Sequence, residues 1–269
     1  MDVKYFELFQ EIKNLYKDDI LELGIYEGCF ADYYDMFEAD PAELDLYLSQ
    51  ASQCGKHILE LCCGNGRLTV PFAMQRFHVD GCDLSRDMLK KLETRKNSLP
   101  KSLQKNICVF NQDVFEIETE NKYDFICLPA TTVCIISDDE DKLKNLFSKV
   151  HFLLSEDGRF VFDMRTYPIE DERSCSLVSS FVRRTEDTAS LTLCQEFINY
   201  SVGRSITNLY TQIERRNERM EKYIAYADKK IISRDWIEGV LSGAGFKIHD
   251  EISSKCDGAD VIYMILKKA

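Results

Sequence analysis

Apolar residues recur along the chain at two different spacings, and the switches between them mark out its elements. From Tyr5 to Tyr16 the residues Phe6, Leu8, Phe9, Ile12, Leu15 and Tyr16 fall at helical spacing and predict a short amphipathic helix. A second helix is predicted from Ala42 to Gln53, just after Pro41, with Leu44, Leu48 and Ala51 on one face. Short apolar runs and helical stretches then alternate. HILEL (His57–Leu61), HVDGC (His78–Cys82), ICVF (Ile107–Phe110), DFICL (Asp124–Leu128) and RFVFDM (Arg159–Met164) read as buried strands. Between them lie a helix in LTVPFAMQRF, where Pro71 is tolerated in the first turns, and one from Ser85 to Lys96 with Met88, Leu89 and Leu92 inward. A third, running to about Leu154, is opened by the capping box of Ser137 and Glu140. Repeated β-α-β units with apolar strands imply an α/β fold, a parallel sheet with helices on both faces.

From about Thr166 to Lys230 the pattern changes. SLVSSFVRR, SLTLCQEFINY, SITNLYTQIER and EKYIAYA show strand-like alternation, separated by turn-like TEDT, SVGRS and RRNER. This predicts a small antiparallel sheet inserted into the main fold. Ser233 then caps a helix carrying Trp236, Ile237, Val240 and Leu241, and the glycines at 243 and 245 stop it. FKIHDEI and VIYMILKK are close enough in sequence to pair as antiparallel strands. The expected organisation is a helical cap region over 1–54, a Rossmann-like domain over 55–165 and 231–269, and an inserted β lid or substrate subdomain over 166–230.

Composition narrows the function classes. The net charge of -12 disfavours nucleic-acid binding, because such proteins neutralise phosphates with Lys and Arg. The basic cluster at Arg215, Arg216, Arg219 and Lys222 is interleaved with Glu214, Glu218 and Glu221, so its field cancels. No apolar run reaches the ~18 residues of a membrane span, and the start lacks a secretory pattern; the expectation is a cytoplasmic protein. Eleven cysteines with no C-x-x-C pair, and four scattered histidines, give no metal-ligand spacing. The cysteines read as reduced structural thiols.

The chemistry concentrates in ILELCCGNGRLT, Ile58 to Thr69. A buried strand ends at acidic Glu60, a turn with Gly64 and Gly66 follows, and a helix opens near Arg67. Glycines there let the backbone bend sharply and let a ligand approach closely. Crevices at the carboxyl ends of parallel strands are where open α/β sheets bind ligands. Thr69 stands where a dinucleotide fingerprint needs its third glycine, and no G-K-[ST] ending marks a phosphate loop. Asp83, ending the next strand, can accept both hydroxyls of a ribose, and Leu84 and Met88 can pack on an adenine ring. Asp113 can accept from an exocyclic amine while the Val114 N–H donates to a ring nitrogen. Leu128 ends the fourth strand beside the glycine turn. Each residue also has a plainer reading: Glu60 as a strand-end charge, Asp83 as a helix cap, Asp113 as a turn residue, and Arg67 as a solvent-facing charge rather than a cofactor contact.

This arrangement resembles the class I S-adenosylmethionine-dependent methyltransferases over roughly Tyr33 to Asp163 and the last strand pair. The family's first motif matches Glu60 through Gly66, with Cys62 where its first glycine usually stands. The resemblance implies a ribose-binding acid at Asp83, an adenine-binding acid at Asp113 and a cofactor-lining position at Leu128. FADYYDMF is similar to the Y-Y-D motif of small-molecule members and implies that Tyr33 and Tyr34 lie near the methionine end of the cofactor; packing in a helix is the other reading. The inserted sheet is similar to that of glycine and amino-sugar N-methyltransferases. The resemblance further implies a seven-stranded sheet with an antiparallel last strand, for which Val261–Leu266 fits.

The expected activity is methyl transfer from S-adenosylmethionine to a small-molecule acceptor. The sulfonium methyl is already electrophilic, so the protein's part is binding and orientation. No general base stands out, which favours an amine acceptor over oxygen or carbon. Asp163, Arg165 and Thr132 are weak catalytic candidates, with backbone support the other reading for the first two. Glu196, Tyr200 and Tyr210 of the insert could supply a base. A homodimer through the inserted sheet is a further expectation. The alternative is a non-catalytic S-adenosylmethionine-binding sensor or partner subunit. A dehydrogenase, or a nucleic-acid or protein methyltransferase, fits less well.

Overall fold

The computed structural model describes residues 4–35, 41–136, 139–166, 173–176, 178–256 and 259–269. The chain divides into two compact units, Met1–Phe37 with Pro168–Ile231 and Glu38–Tyr167 with Ile232–Ala269.

The first unit is a sheet between two helices. Helix α1 spans Glu7–Tyr16, strand β1 Leu21–Glu22 and helix α2 Gly28–Tyr34. After the long excursion through the second unit come β7 (Arg173–Cys175), β8 (Ser179–Arg184), β9 (Thr188–Asn199), β10 (Arg204–Arg215) and β11 (Glu221–Lys230). The order is β1-β11-β10-β9, with β7 and β8 both on β9, and every pairing is antiparallel except β1 with β11. Period-two alternation sends Tyr210 and Ile224 to one face, against Tyr5, Phe9 and Ile12 of the N-terminal segment. It sends Leu209 and Ala225 to the other, against Phe30 of α2. Asn208 ties the N-terminal segment to the sheet: it accepts the Phe6 N–H at 3.0 Å and donates to the Lys4 carbonyl at 2.8 Å. Residues 4–35 thus fold with the later β segment.

The second unit opens with α3 (Pro41–Ser52), followed by β2 (His57–Leu61), α4 (Thr69–Met74), β3 (His78–Asp83), α5 (Arg86–Ser98), α6 (Lys101–Gln104), β4 (Ile107–Asn111), β5 (Tyr123–Leu128), α7 (Val133–Ile136), α8 (Glu140–Leu153) and β6 (Leu154–Thr166). It closes with α9 (Arg234–Gly243), β12 (Phe246–Cys256) and β13 (Ala259–Lys268). The seven strands run β12-β13-β6-β5-β2-β3-β4. The five from β6 to β4 are parallel, β13 is antiparallel to β6, and β12 is antiparallel to β13. This is the predicted α/β sheet with its antiparallel last strand.

Both faces of this sheet are buried. Leu59, Leu61, Ile126, Leu128, Phe160 and Phe162 pack toward Leu143, Phe147 and Val150 of α8 and Ile237 and Leu241 of α9. Ile58, Phe125 and Val161 pack toward Tyr47 and Ala51 of α3 and Phe72 of α4. Near-continuous apolar strands are the sequence form of this two-sided burial. Helix α8 is capped by Asp139, whose side chain accepts the Lys142 N–H at 2.9 Å, so the capping-box expectation is corrected there. Asp caps as well as Ser and adds a favourable charge at the helix N-terminus; Ser137 lies outside the described residues. Ser233 caps α9 as expected. Among the described residues, no helix is long and apolar enough to cross a membrane.

Candidate functional site

The turn after β2 sets the geometry of the site. Cys62, Gly64 and Gly66 all take positive φ, at 55°, 54° and 83°. A Cβ on Gly64 would stand 3.2 Å from Met88 Cε and 4.0 Å from Asp83 Oδ2, so the bare backbone here lies against the wall formed by those two residues. Gly66 has a different task. A Cβ there would meet Leu92 Cγ at 2.7 Å, so this glycine lets the turn close onto α5 rather than making room for a ligand.

Asp83 anchors the turn from the tip of β3. Its Oδ2 accepts the Gly64 N–H and its Oδ1 the Ser85 N–H, both at 2.8 Å. It does not cap α5; Ser85 does, accepting the Met88 N–H at 3.2 Å. Burial raises the Asp83 carboxyl above its ordinary range, against the lowering effect of the Ser85, Gly64 and Leu84 backbone N–H groups. Leu84 is exposed beside it, while Met88 is buried. Asn111 at the tip of β4 donates to the carbonyls of Asp83 at 3.0 Å and Leu84 at 2.9 Å. Asp113 caps a single 3-10 turn, accepting the Phe115 N–H at 3.0 Å, and the Val114 side chain is buried. A cavity of about 350 Å³ between this turn and α8, lined in part by Phe115, Lys142 and Asn145, shares only Asp113 with the strand-tip residues.

The three carboxylates predicted at the strand tips all act electrostatically on two thiols. Burial pushes the Cys62 thiol well up, and the charges of Asp83, Asp113 and Glu60 each push it further. Cys82 is pushed up to about 12, with the same three acids contributing behind burial. Such thiols are inert packing groups.

Glu60 is fully enclosed, and its Oε2 accepts the Thr69 hydroxyl at 2.5 Å. Burial raises it to about 8, more than Thr69 and Arg67 can offset. Arg67 forms a bidentate ion pair with Glu43 of α3, its Nη2 2.8 Å from Oε1 and its Nη1 on Oε2. Neither of the two readings of Arg67 named this partner. Leu128 is entirely inside the core. Tyr34 lies in α2 of the first unit, edge-to-face with Tyr26 at 5.5 Å. Tyr33 packs in that unit's apolar cluster, where burial and the neighbouring Cys194 raise its hydroxyl.

Two of the weak catalytic candidates, Asp163 and Thr132, are hydrogen-bonded within the fold. Asp163 is buried, with Oδ1 accepting the Tyr47 hydroxyl and Oδ2 the Thr131 N–H, both at 2.6 Å. Ala130 and Thr131 adopt φ of 63° and 51°, and Asp163 holds this strained turn after β5. Burial raises Asp163 to about 7. Thr132 donates its hydroxyl to the Pro129 carbonyl at 2.5 Å. Arg165 lies in β6 opposite Val261. His57 and His78 stack at the amino ends of β2 and β3, 5.3 Å between centroids. His151 packs on Phe246, and His249 sits at the β12 bulge. Ten cysteines are free thiols among the described residues, and no group of three or more His, Cys, Asp or Glu there is arranged to hold a metal.

Comparison with known proteins matches this part of the chain. Residues 58–158 fit the family model described as a methyltransferase domain. A protein of Geobacillus sp. (strain WCH70), provisionally named a methyltransferase, is 30% identical over 153 residues, 54% of this chain and 60% of that protein. YqeM of Bacillus subtilis (strain 168), named in the same provisional way, is 26% identical over 53% of this chain and 56% of its own length. The matched stretch thus spans little more than half of either relative. Among solved structures, the sugar N-methyltransferase KedS8 from Streptoalloteichus sp. superposes with a TM-score of 0.74 at 15% identity, covering 92% of this chain and 94% of that one. An S-adenosylmethionine-dependent methyltransferase from Clostridium acetobutylicum gives 0.66 at 18% identity, covering 90% and 100%. Residues 58–158 therefore resemble a methyltransferase domain, and the chain has the fold seen in S-adenosylmethionine-dependent methyltransferases.

Proposed function

We propose that the chain transfers a methyl group from S-adenosylmethionine to a small molecule, and that the accepting atom is an amine nitrogen. The observation that carries the reading is that Glu60, Asp83 and Asp113 stand at or just beyond the carboxyl ends of three adjacent parallel strands, with Asp83 bonded to the Gly64 turn.

The residues present fit the cofactor. Each Asp83 oxygen accepts one backbone N–H and keeps a lone pair, so the carboxylate can take both ribose hydroxyls. Exposed Leu84 and the Met88 wall offer apolar cover for adenine. Asp113 keeps its second oxygen for the exocyclic amine, and the Val114 N–H is assigned to a ring nitrogen. The amino-acid end is assigned to Glu60 and the backbone of Cys62 and Gly64. The bound cofactor supplies an electrophilic sulfonium methyl; the chain's own task is to hold the acceptor in line, which can lower a barrier by ~7–11 kcal/mol.

Two observations support nitrogen as the acceptor. All four histidines lie away from the tips of the parallel strands, and Asp163 has both oxygens committed to the Thr131 turn and Tyr47. A neutral amine needs no such base. Solved structures with this fold include a sugar N-methyltransferase and a glycopeptide N-methyltransferase. In this reading the first unit recognises the acceptor, through groups such as Glu196, and its sheet pairs two copies of the chain. A methyl-donor consumption screen over amines, phenols and carboxylates tests the proposal. Turnover with amines is expected; turnover confined to phenols or carboxylates would refute nitrogen transfer.

A further inference from the structure

A cavity of the second unit lies beside the strand tips rather than at them: about 350 Å³ between α8 and the 3-10 turn Val114–Glu116. That volume is at the small end of ligand pockets, which run from about 300 to 1,000 Å³. Lys142, Asn145, Leu146 and Lys149 recur at helical spacing, so α8 turns a single stripe toward it. Buried Leu146 and half-buried Phe115 give the cavity an apolar floor. The polar groups around that floor are poorly engaged by the protein itself. The Lys142 ammonium rests on the Phe115 ring, 4.2 Å from its centroid. Among the described residues, neither Lys142 nor Lys149 is in an ion pair, and the Asn145 side chain makes no hydrogen bond. Glu116 on the opposite wall likewise has no ion pair there, and Asp113 commits one oxygen, to the Phe115 N–H at 3.0 Å.

Such a lining selects its ligand by charge. An anion would face Asp113 and Glu116, a cation would face Lys142 and Lys149, and a wholly apolar body would strip water from all four without replacing it. A ligand with both charges on an apolar body satisfies both walls. Its carboxylate meets the lysines and the Asn145 amide, its ammonium meets the acids, and its body lies on Phe115 and Leu146. We propose that this cavity binds a small zwitterion of that kind, of which an apolar α-amino acid is the simplest, and that its occupation opposes cofactor binding through Asp113. The ammonium takes the second Asp113 oxygen, the one assigned to the exocyclic amine of the cofactor, so each ligand weakens the other by the same factor. The coupling, though not the site, rests on the methyl-donor reading above.

L-phenylalanine and L-leucine are the probes, with phenethylamine and hydrocinnamate as the forms that lack the carboxylate or the ammonium. Trp236 is the single tryptophan of the chain, and its indole N–H donates at 2.7 Å to Glu140 in the first turn of α8, so its fluorescence reports on the cavity. Titration calorimetry at pH 7 gives the affinities. At least one of the two amino acids should bind saturably, and the half-ligands roughly tenfold more weakly or not at all. Lys149→Ala should weaken the amino acid roughly tenfold while leaving S-adenosylhomocysteine within about twofold. That contrast separates this cavity from the amino-acid end of the cofactor site. Saturating amino acid should weaken S-adenosylhomocysteine by at least about fivefold. No saturable binding of either amino acid, a half-ligand that binds as tightly as the whole, unchanged amino-acid affinity in Lys149→Ala, or S-adenosylhomocysteine affinity indifferent to the amino acid would each overturn the proposal. A chain that binds the amino acid through Lys149 yet binds no S-adenosylhomocysteine would instead leave the site standing and sink the methyl-donor reading.

Discussion

Replacing Asp83 by alanine is the sharpest perturbation of the strand-tip site. Its carboxylate accepts two backbone N–H groups at 2.8 Å and, in the proposed complex, two ribose hydroxyls as well. Hydrogen bonds to a charged group are worth about 1.5–3 kcal/mol each, so losing both hydroxyl partners removes about 3–6 kcal/mol of binding. That corresponds to roughly a hundred- to ten-thousand-fold weaker affinity. The variant also leaves the Gly64 and Ser85 N–H groups without their acceptor, so its thermal midpoint should fall by several degrees without loss of the fold. Asp83→Asn gives an intermediate case: its single carbonyl oxygen can serve one of the two N–H groups, while its amide faces the other donor to donor. Titration calorimetry with S-adenosylhomocysteine measures the loss, and NAD serves as the control ligand that should bind neither form. If the alanine variant binds S-adenosylhomocysteine within about twofold of wild type, the ribose assignment is wrong.

Two further predictions concern stability. Gly66→Ala places a Cβ 2.7 Å from Leu92 Cγ at φ 83°. Overpacking of about 1–3 kcal/mol and left-handed strain of about 1–2 kcal/mol should then combine. Gly64→Ala meets only the flexible end of Met88 at 3.2 Å and should cost less stability but more cofactor affinity; equal urea midpoints for the two variants would contradict the different tasks given to these glycines. The buried acid at Glu60 predicts a pH dependence. Its folded value of about 8 exceeds its ordinary 4.5, so the folded chain binds the extra proton between them. Its contribution to stability is therefore full below about 4.5 and is lost as pH rises toward 8. The unfolding free energy of wild type minus that of Glu60→Gln should shrink steadily from pH 5 to pH 8, and a constant difference would contradict the burial argument.

Much of the sheet was legible because two-sided burial leaves a direct trace. HILEL has four successive buried residues after His57, and its predicted bounds match β2. Strands β3, β4 and β5 differ from expectation by a residue at one end, where an acid, an amide or a tyrosine closes the apolar run. The four long segments between 166 and 230 all contain strands, marked in the sequence by strand-like alternation and the turns between them. The pieces that escaped are short or ordered from outside. Strand β1 is two residues held by β11, β7 is three held by β9, and α2 begins at a positive-φ glycine with no side-chain cap. None has a periodicity of its own. Nor could spacing reveal that the N-terminal helix packs beneath Tyr210 and Ile224, some two hundred residues further along the chain.

The site was legible to the extent that its chemistry sits at strand ends, where an acid after an apolar run has few structural reasons to be there. Asp83 and Asp113 were singled out this way. Glu43 was not, because on the sequence it is one of two acids in a helix whose expected apolar face was Leu44, Leu48 and Ala51. In the structure the buried side of α3 carries Glu43, Tyr47, Gln50 and Ala51, so the helix presents a largely polar face. Each of those polar groups meets a specific partner: Arg67 for Glu43, Asp163 for Tyr47, Arg159 for Gln50. Hydrophobic periodicity assumes that buried means apolar. It fails where a helix satisfies polar groups that the sheet cannot satisfy alone. The same partnering explains Asp163, which the sequence placed at the right strand end for catalysis. With both oxygens engaged by Tyr47 and Thr131, Asp163 holds the turn after β5.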